Sequence, residues 1–229
     1  MLTLPATGSE SNKGAVISRK TTGDKQAFMN EHVQPVFAIL DPVYTYTLPA
    51  RQVANGVVDA FVHTVEQYVT YPVNAKIQDR FAEGILLTLV EEGPKALKEP
   101  ENYDVRANVM WAATQALNGL IGAGVPQDWA THMLGHELTA MHGLDHAQTL
   151  AVVLPALWNE KRDTNAPNCC STQSACGTSP RVLTMRVLTR PSKRHATSSK
   201  AWAYQRACLA TAWMAVLSLL CWRNSTRTA

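Results

Sequence analysis

Cysteine is missing from the first 163 residues, since all five cysteines of the chain lie between Cys169 and Cys221. A stretch of this length without cysteine forms no disulfide and is typical of proteins that fold in a reducing compartment. Met1 is followed by Leu2-Thr3-Leu4-Pro5, without the basic start and apolar core of a secretory signal peptide. We therefore expect a cytoplasmic protein.

Long hydrophobic runs are also missing. The most apolar segment, residues 207–222, is shorter than the roughly 20 residues that a membrane-spanning helix needs. The chain of 229 residues is 46% hydrophobic, which is enough to bury a sizeable core. We therefore predict a globular protein without a membrane partner.

Acidic residues are missing from residues 164–229, which hold nine Lys or Arg, whereas residues 1–163 hold all 18 Asp and Glu. The net charge of +3 is thus the sum of a negatively charged segment, residues 1–163, and a positively charged one, residues 164–229. The tail has no stable hydrophobic period, and we predict that it is disordered or non-native. Two interpretations stay open: a sequence read out of its original frame, or a natural basic extension. Because few aromatic residues accompany its basic ones, we predict no nucleic-acid partner.

Helical periodicity dominates the region before this tail. Apolar residues recur every three or four positions after Pro49, as far as Tyr68, which predicts a first helix. Similar patterns predict four more helices: from about Asn74 to a stop at Gly93-Pro94, from Asp104 to Leu120, from Pro126 to Gly143, and from His146 to at least Leu154.

Two short apolar runs with β-branched residues, Ala15–Ser18 and Val36–Leu40, precede the helices and predict two strands. The chain is therefore predicted to be mainly α, in three parts. Residues 1–48 form a loop with two short strands, residues 49–163 form a helical domain, and residues 164–229 form the basic, cysteine-containing tail.

One aspartate and several histidines have the spacing of metal ligands. Asp59 and His63 lie four residues apart in the first predicted helix, so their side chains leave the same face. His132 and His136 repeat this spacing, and His146 follows ten residues later. Such an Asp/His pair more often forms a hydrogen bond on a helix surface. Here the neighbouring residues are apolar, which favours burial of the pair, and buried polar groups are costly unless they have a partner such as a shared metal ion. A carboxylate with several imidazoles suits Fe²⁺ or Zn²⁺ with an open coordination position.

Several short motifs follow one another in order along the chain: Thr7-Gly8-Ser9-Glu10, Asp41-Pro42, Asp59-Ala60-Phe61-Val62-His63, His132-Met133-Leu134-Gly135-His136 and His146. Together they resemble the iron-containing alcohol dehydrogenase family. The segments Gly135–Leu138 and His146–Ala151 are most similar to its NADPH-dependent butanol dehydrogenase and broad-specificity aldehyde reductase branch, although many relatives have glycine where this chain has Ala147. The resemblance covers residues 2 to about 163.

The resemblance implies a dehydroquinate-synthase-like fold, in which an α/β nucleotide-binding domain precedes a helical metal-binding domain. Residues 1–48 would then be a remnant of the nucleotide-binding domain. Carried over by position, the resemblance makes Asp59, His63, His132 and His146 the metal ligands.

The resemblance also implies an activity, the metal-dependent transfer of hydride between NADP(H) and an alcohol or aldehyde. His136 would lie near the nicotinamide and the substrate, in a catalytic role of orientation or proton relay. Thr3, Thr7 and Lys25 match positions that approach the cofactor. Full-length relatives commonly form homodimers, which we expect here as well.

A glycine-rich phosphate-binding segment, which relatives have ahead of the Thr-Gly-Ser-Glu loop, is missing from the 229 residues. We therefore expect this chain to keep a metal site but to be poorly active or inactive. The alternatives are a non-catalytic metal-binding fragment and, less favoured, a metal-dependent hydrolase or lyase. A hydrolase would need Glu137 as its general base, and the position of Glu137 beside His136 on a helix directs it away from the metal.

Overall fold

The computed structural model describes residues 1–70 and 73–160. A β-hairpin and two short 3₁₀ helices come before a set of five α-helices. The hairpin consists of β1 (Gly14–Arg19) and β2 (Asp24–Met29), and the helices are α1 (Ala50–Tyr68), α2 (Lys76–Lys98), α3 (Tyr103–Leu117), α4 (Ala130–His142) and α5 (His146–Glu160). This arrangement confirms the predicted mainly α fold with a small strand element. Within the described part of the chain, none of the helices combines the length and the apolar composition that crossing a bilayer requires.

Helix α1 is the centre of the fold, because every residue from Val53 to Tyr68 is buried. Helices α2, α3, α4 and α5 all pack against it. A helix that is buried all round normally consists of apolar residues. Helix α1 instead also buries the polar side chains of Asp59, His63 and Glu66, each at most 4% exposed. Such groups are costly to bury unless they find partners or a ligand.

The predicted bounds of α2 were wrong at both ends. The helix continues through Pro94 to Lys98, although proline lacks the N–H that the helix ladder uses. Ala96 is completely buried and Leu97 packs against the core, so burial beyond Pro94 offsets the lost bond. At the start, Asn74 is not a cap, since it has a left-handed φ of 59° and the helix begins at Lys76.

The other helix ends follow local turn chemistry. Helix α3 ends at Leu117, earlier than predicted, because Gly119 adopts a φ of 92° and the Asn118 side chain accepts a hydrogen bond from the N–H of Leu120 at 2.9 Å. Helix α4 ends as predicted at Gly143, which has a φ of 66° and donates its N–H to the carbonyl of Thr139. Left-handed conformations of this kind favour glycine.

The first predicted strand was confirmed and the second was wrong. Strand β1 pairs antiparallel with β2, from Gly14 opposite Met29 to Arg19 opposite Asp24. The second predicted strand, residues 36–40, is irregular, and its Val36 and Phe37 are 98% and 78% exposed. Its apolar composition resembles a buried strand, but a strand also needs a neighbour to accept its backbone hydrogen bonds.

The opening loop crosses α1 at Gly56. A Cβ atom at this position would lie 2.2 Å from the carbonyl oxygen of Pro5, which is a backbone atom that cannot rotate away. We therefore expect Gly56→Ala to displace the loop and to lower the free energy of unfolding by about 1–3 kcal/mol, as overpacking typically does. Urea denaturation of the metal-free chain measures this change.

Gly84 offers a matched control for this substitution. It also lies inside a helix, but a Cβ atom there would meet no atom within 4 Å. Gly84→Ala should stabilise the protein by roughly 0.5–1 kcal/mol through the helix propensity of alanine. Equal urea midpoints for the two variants would contradict the close approach of the loop to α1.

Candidate metal centre

Helix α1 positions the first two predicted ligands. Asp59 and His63 lie one turn apart on the same face, and both are buried. The Nε2 atom of His63 lies 3.7 Å from the Oδ1 atom of Asp59. The sequence spacing therefore produces the shared orientation that it predicts.

Two other helices bring histidines to the same carboxylate oxygen. The Nε2 atoms of His132, in α4, and His146, at the start of α5, each lie 3.5 Å from Asp59 Oδ1. The ring of His132 also stacks on that of His63, with centroids 4.4 Å apart. The donor atoms of Asp59, His63 and His132 all lie within 4.8 Å of one another, and His146 flanks this group.

The donor atoms of Asp59, His63 and His132 have the chemistry and the mutual spacing that a divalent cation needs, and His146 Nε2 lies outside this group but 3.5 Å from Asp59 Oδ1. Ligands about 2.0–2.2 Å from a tetrahedral ion are separated from one another by about 3.4 Å. The Nε2 atoms of the three histidines lie 3.7, 3.5 and 3.5 Å from Asp59 Oδ1. Moreover, Asp59 Oδ1 and His132 Nε2 are buried without a hydrogen-bond partner among the described residues. Buried polar atoms without partners are rare, and a metal ion would satisfy both.

Burial and the charges of neighbouring groups shift the pKa values of Asp59 and of the three histidines around it. Burial lowers the pKa of His63 to about 3 and that of His146 to about 4, although the charge of Asp59 opposes both shifts. Burial would likewise lower the pKa of His132, but Asp59 and Glu66 raise it to about 9. Burial would raise the pKa of Asp59, and the three histidines together hold it well below its usual range. Without a metal ion, an ionised Asp59 therefore lies beside neutral His63 and His146 and a protonated His132, and a cation that binds here must displace a proton from His132.

Glu66 is a member of the site that the sequence reasoning missed. Its Oε1 atom accepts hydrogen bonds from the backbone N–H groups of Thr131 at 2.6 Å and His132 at 3.3 Å. Its Oε2 atom pairs with Nδ1 of the His132 ring. Its position three residues after His63, which places it near the same face of the first predicted helix, was the available signal.

Asp145 is a second missed residue, and it lies directly before the predicted ligand His146. Its carboxylate accepts a hydrogen bond from the Asn55 side chain at 3.0 Å and pairs with Arg51 at 3.4 Å. Its backbone carbonyl accepts the N–H groups of residues 148 and 149, in the first turn of α5. Helix α1 thus also fixes the point at which α5 begins.

His136, predicted as catalytic, lies beside the cluster. It is 6% exposed, and its ring centroid is 5.0 Å from that of His146 and 6.3 Å from that of His132. Burial lowers the pKa of His136 to about 4, and the charge of Lys25 adds to this shift. A neutral imidazole next to the metal ligands can orient a polar group through a hydrogen bond.

The three predicted cofactor residues occupy different surroundings. Thr3 and Thr7 are exposed in the opening loop, where Thr7 Oγ1 accepts a hydrogen bond from the N–H of Ser9 at 3.4 Å. Lys25, in β2, is partly buried, and this burial lowers the pKa of its ammonium while the charge of Asp59 opposes the shift. Lys25 is therefore close enough to Asp59 for their charges to interact, and its charge adds to the effect of burial in lowering the pKa of His146. Glu137, the residue that a hydrolase would need, is exposed.

A family model supports the relationship that these motifs indicate. The model of the Fe-containing alcohol dehydrogenase family, C-terminal, matches residues 53–200. The match includes α1, α4 and α5, which hold the candidate ligands, and it extends past residue 163, where the recognisable motifs end.

Curated relatives and solved structures agree with this match. The chain is 93% identical over 164 residues to NADPH-dependent aldehyde reductase YqhD of Escherichia coli, covering 72% of this chain and 42% of that protein. It is 41% identical over 155 residues to NADH-dependent butanol dehydrogenase B of Clostridium acetobutylicum, covering 68% of this chain and 40% of that protein. The chain therefore spans about two fifths of the length of these relatives.

The crystal structure of E. coli YqhD matches with a TM-score of 0.80 and 72% identity, covering 94% of this chain and 52% of that one. A butanol dehydrogenase A from Thermotoga maritima matches with a TM-score of 0.73 and 28% identity, covering 92% of this chain and 50% of that one. Sequence and structure agree on one relationship: the chain belongs to the Fe-containing alcohol dehydrogenase family.

Proposed function

We propose that Asp59, His63, His132 and His146 bind one divalent metal ion, Fe²⁺ or Zn²⁺, as part of an alcohol dehydrogenase that interconverts aldehydes and alcohols with NADP(H). The observation that supports this most directly is the set of three imidazole nitrogens within 3.7 Å of one buried carboxylate oxygen. The names of the two curated relatives, an aldehyde reductase and a butanol dehydrogenase, support the substrate class.

A cation bound by these donors would polarise the oxygen of an aldehyde, and the nicotinamide would supply the hydride. The protein side chains provide charge and geometry. Asp59 places its negative charge against the cation, while His63 and His146 remain neutral at pH 7 because burial lowers their pKa to about 3 and about 4. His136, also neutral at this pH because its pKa is about 4, would orient the substrate or cofactor by hydrogen bonding.

We further propose that Thr3, Thr7 and Lys25 lie along the path of the cofactor, next to the metal centre. Lys25 supports this most strongly, because its charge influences both His136 and His146. The division of the chain into parts at residues 48 and 163 stays a prediction. The tail, residues 164–229, lies outside the described residues, so the prediction that it is disordered or non-native is untested. A homodimer and a cytoplasmic location also stay predictions.

Metal analysis and NADPH oxidation test this function on the 229-residue chain. We expect one divalent ion per chain after loading and desalting. Because these 229 residues contain no glycine-rich phosphate-binding segment, we expect aldehyde-dependent oxidation of NADPH to be slower than about 1 per second, an ordinary rate for dehydrogenases. A chain that binds no ion would contradict the metal site. Turnover above that rate would contradict poor activity while supporting the dehydrogenase assignment.

A further inference from the structure

We infer that Glu66 is a positioning residue, which fixes the His132 ring as a metal ligand and holds the start of α4 against α1. This inference rests on the metal site proposed above. It concerns a side chain that is 4% exposed and lies outside the four ligands.

The first part of the argument is the N-terminus of α4. The opening N–H groups of a helix have no partner within the helix and need an acceptor from elsewhere. Trp129, which precedes α4, provides no side-chain cap. Glu66 Oε1 instead accepts the N–H groups of Thr131 and His132, in the first turn. A carboxylate is also the charge that a helix N-terminus favours.

The second part is the proton on the His132 ring. Glu66 Oε2 pairs with Nδ1, and an ionised carboxylate can only accept a hydrogen bond, so Nδ1 must donate. The lone pair of a neutral ring then lies on Nε2, the atom that is 3.5 Å from Asp59 Oδ1. Carboxylates that hold a ligand histidine in this way orient the ring and strengthen metal binding.

The third part is that both contacts start from one rigid helix. Asp59, His63 and Glu66 lie on successive turns of α1. The backbone carbonyl of Glu66 also accepts the N–H of Asp128, at 2.8 Å, in the segment before α4. Helix α1 therefore supplies two ligands directly and sets the place, angle and tautomer of the third.

The substitution Glu66→Gln separates orientation of the ring from capping of the helix. The two backbone donors of α4 should hold the glutamine carbonyl oxygen, as they hold Glu66 Oε1. The amide NH₂ would then face Nδ1 of His132 and donate to it, which moves the ring proton to Nε2, where it competes with the metal ion. A residue that only caps α4 would leave the ring proton where it was.

We therefore expect Glu66→Gln to weaken binding about 10- to 100-fold, the usual effect of removing such an outer partner. The probe is Co²⁺ alone, titrated into the metal-free 229-residue chain against a competing chelator and followed by visible absorption. Nitrogen-15 NMR of the histidine rings, recorded without metal and above the His132 pKa of about 9 so that the ring is neutral, should show the His132 proton on Nε2 in the variant and on Nδ1 in the unchanged chain. Glu83→Gln is the matched control, since Glu83 accepts a hydrogen bond from Tyr68 at 3.0 Å, and it should leave both readouts unchanged.

The outcomes distinguish this inference from the metal site itself. Equal Co²⁺ affinity in the unchanged chain and in Glu66→Gln, with the proton on Nδ1 in both, would overturn the role of Glu66 and leave the metal site intact. Failure of the unchanged chain to bind Co²⁺ would overturn both. If Glu66→Gln does not fold, the Zn²⁺-loaded unchanged chain decides: a proton on Nδ1 of His132 supports the inference, and metal binding through Nδ1 overturns it.

Discussion

Replacing His132 and His146 together with alanine should remove the bound metal ion. The two side chains are two of the four proposed donors and come from two different helices, α4 and α5. Binding of a structural metal ion is worth about 10–16 kcal/mol. Loss of half of the donors should therefore weaken affinity by about 1000-fold or more, equivalent to at least about 4 kcal/mol. Metal analysis after desalting should find one ion in the unchanged chain and almost none in the variant.

The control for this experiment is the double variant His32→Ala, His142→Ala. Both of these histidines are exposed, so the same number of imidazoles is lost without touching the cluster. This variant should retain its ion. Circular dichroism of the metal-free proteins should show equal helix content in all three chains. Retention of the ion by the His132 and His146 double variant, at unchanged affinity, would show that the metal binds elsewhere.

Asp59 and His63 could be paired from the sequence because their geometry is local, whereas the full set with His132 and His146 is implied by the family resemblance. The spacing of Asp59 and His63 places them on one face of any helix, whatever surrounds it. Glu66 and Asp145 could not be found in the same way. Their partners lie 66 and 90 residues away along the chain, and a single sequence does not show which of its distant residues come into contact. The family resemblance named the ligands but did not extend to the residues that orient them.

The same distinction explains the outcome for the fold. The five helices were predicted because hydrophobic periodicity is a property of each segment. The C-terminal end of α2 was not predicted correctly, because the helix continues past Pro94 only where the rest of the fold buries Ala96. Strand β2 was missed for a related reason. Its sequence, Asp-Lys-Gln-Ala-Phe-Met, has no alternating pattern, and only the pairing with β1 defines it as a strand.

Phe61→Ala should have the largest effect on stability. Phe61 is 1% exposed and belongs to the main hydrophobic core. Removing a buried aromatic ring forfeits its burial and leaves a cavity, which together cost about 3–5 kcal/mol. Urea denaturation of the metal-free chain should show this loss. Phe61→Leu, which fills most of the space, is the control and should cost less than about 1.5 kcal/mol.

The same variant tests whether the two faces of α1 act separately. Phe61 lies two residues after Asp59, so the two side chains leave the helix about 200° apart. Phe61→Ala should therefore lower stability without changing the metal affinity of the folded protein. At a Zn²⁺ concentration of about 1000 times the dissociation constant, bound metal adds about 4 kcal/mol to either chain. The difference between urea curves with and without Zn²⁺ should thus be the same for Phe61→Ala and the unchanged chain. If Zn²⁺ raised the free energy of unfolding less in the variant than in the unchanged chain, core packing would also hold Asp59 and His63 in their ligand positions.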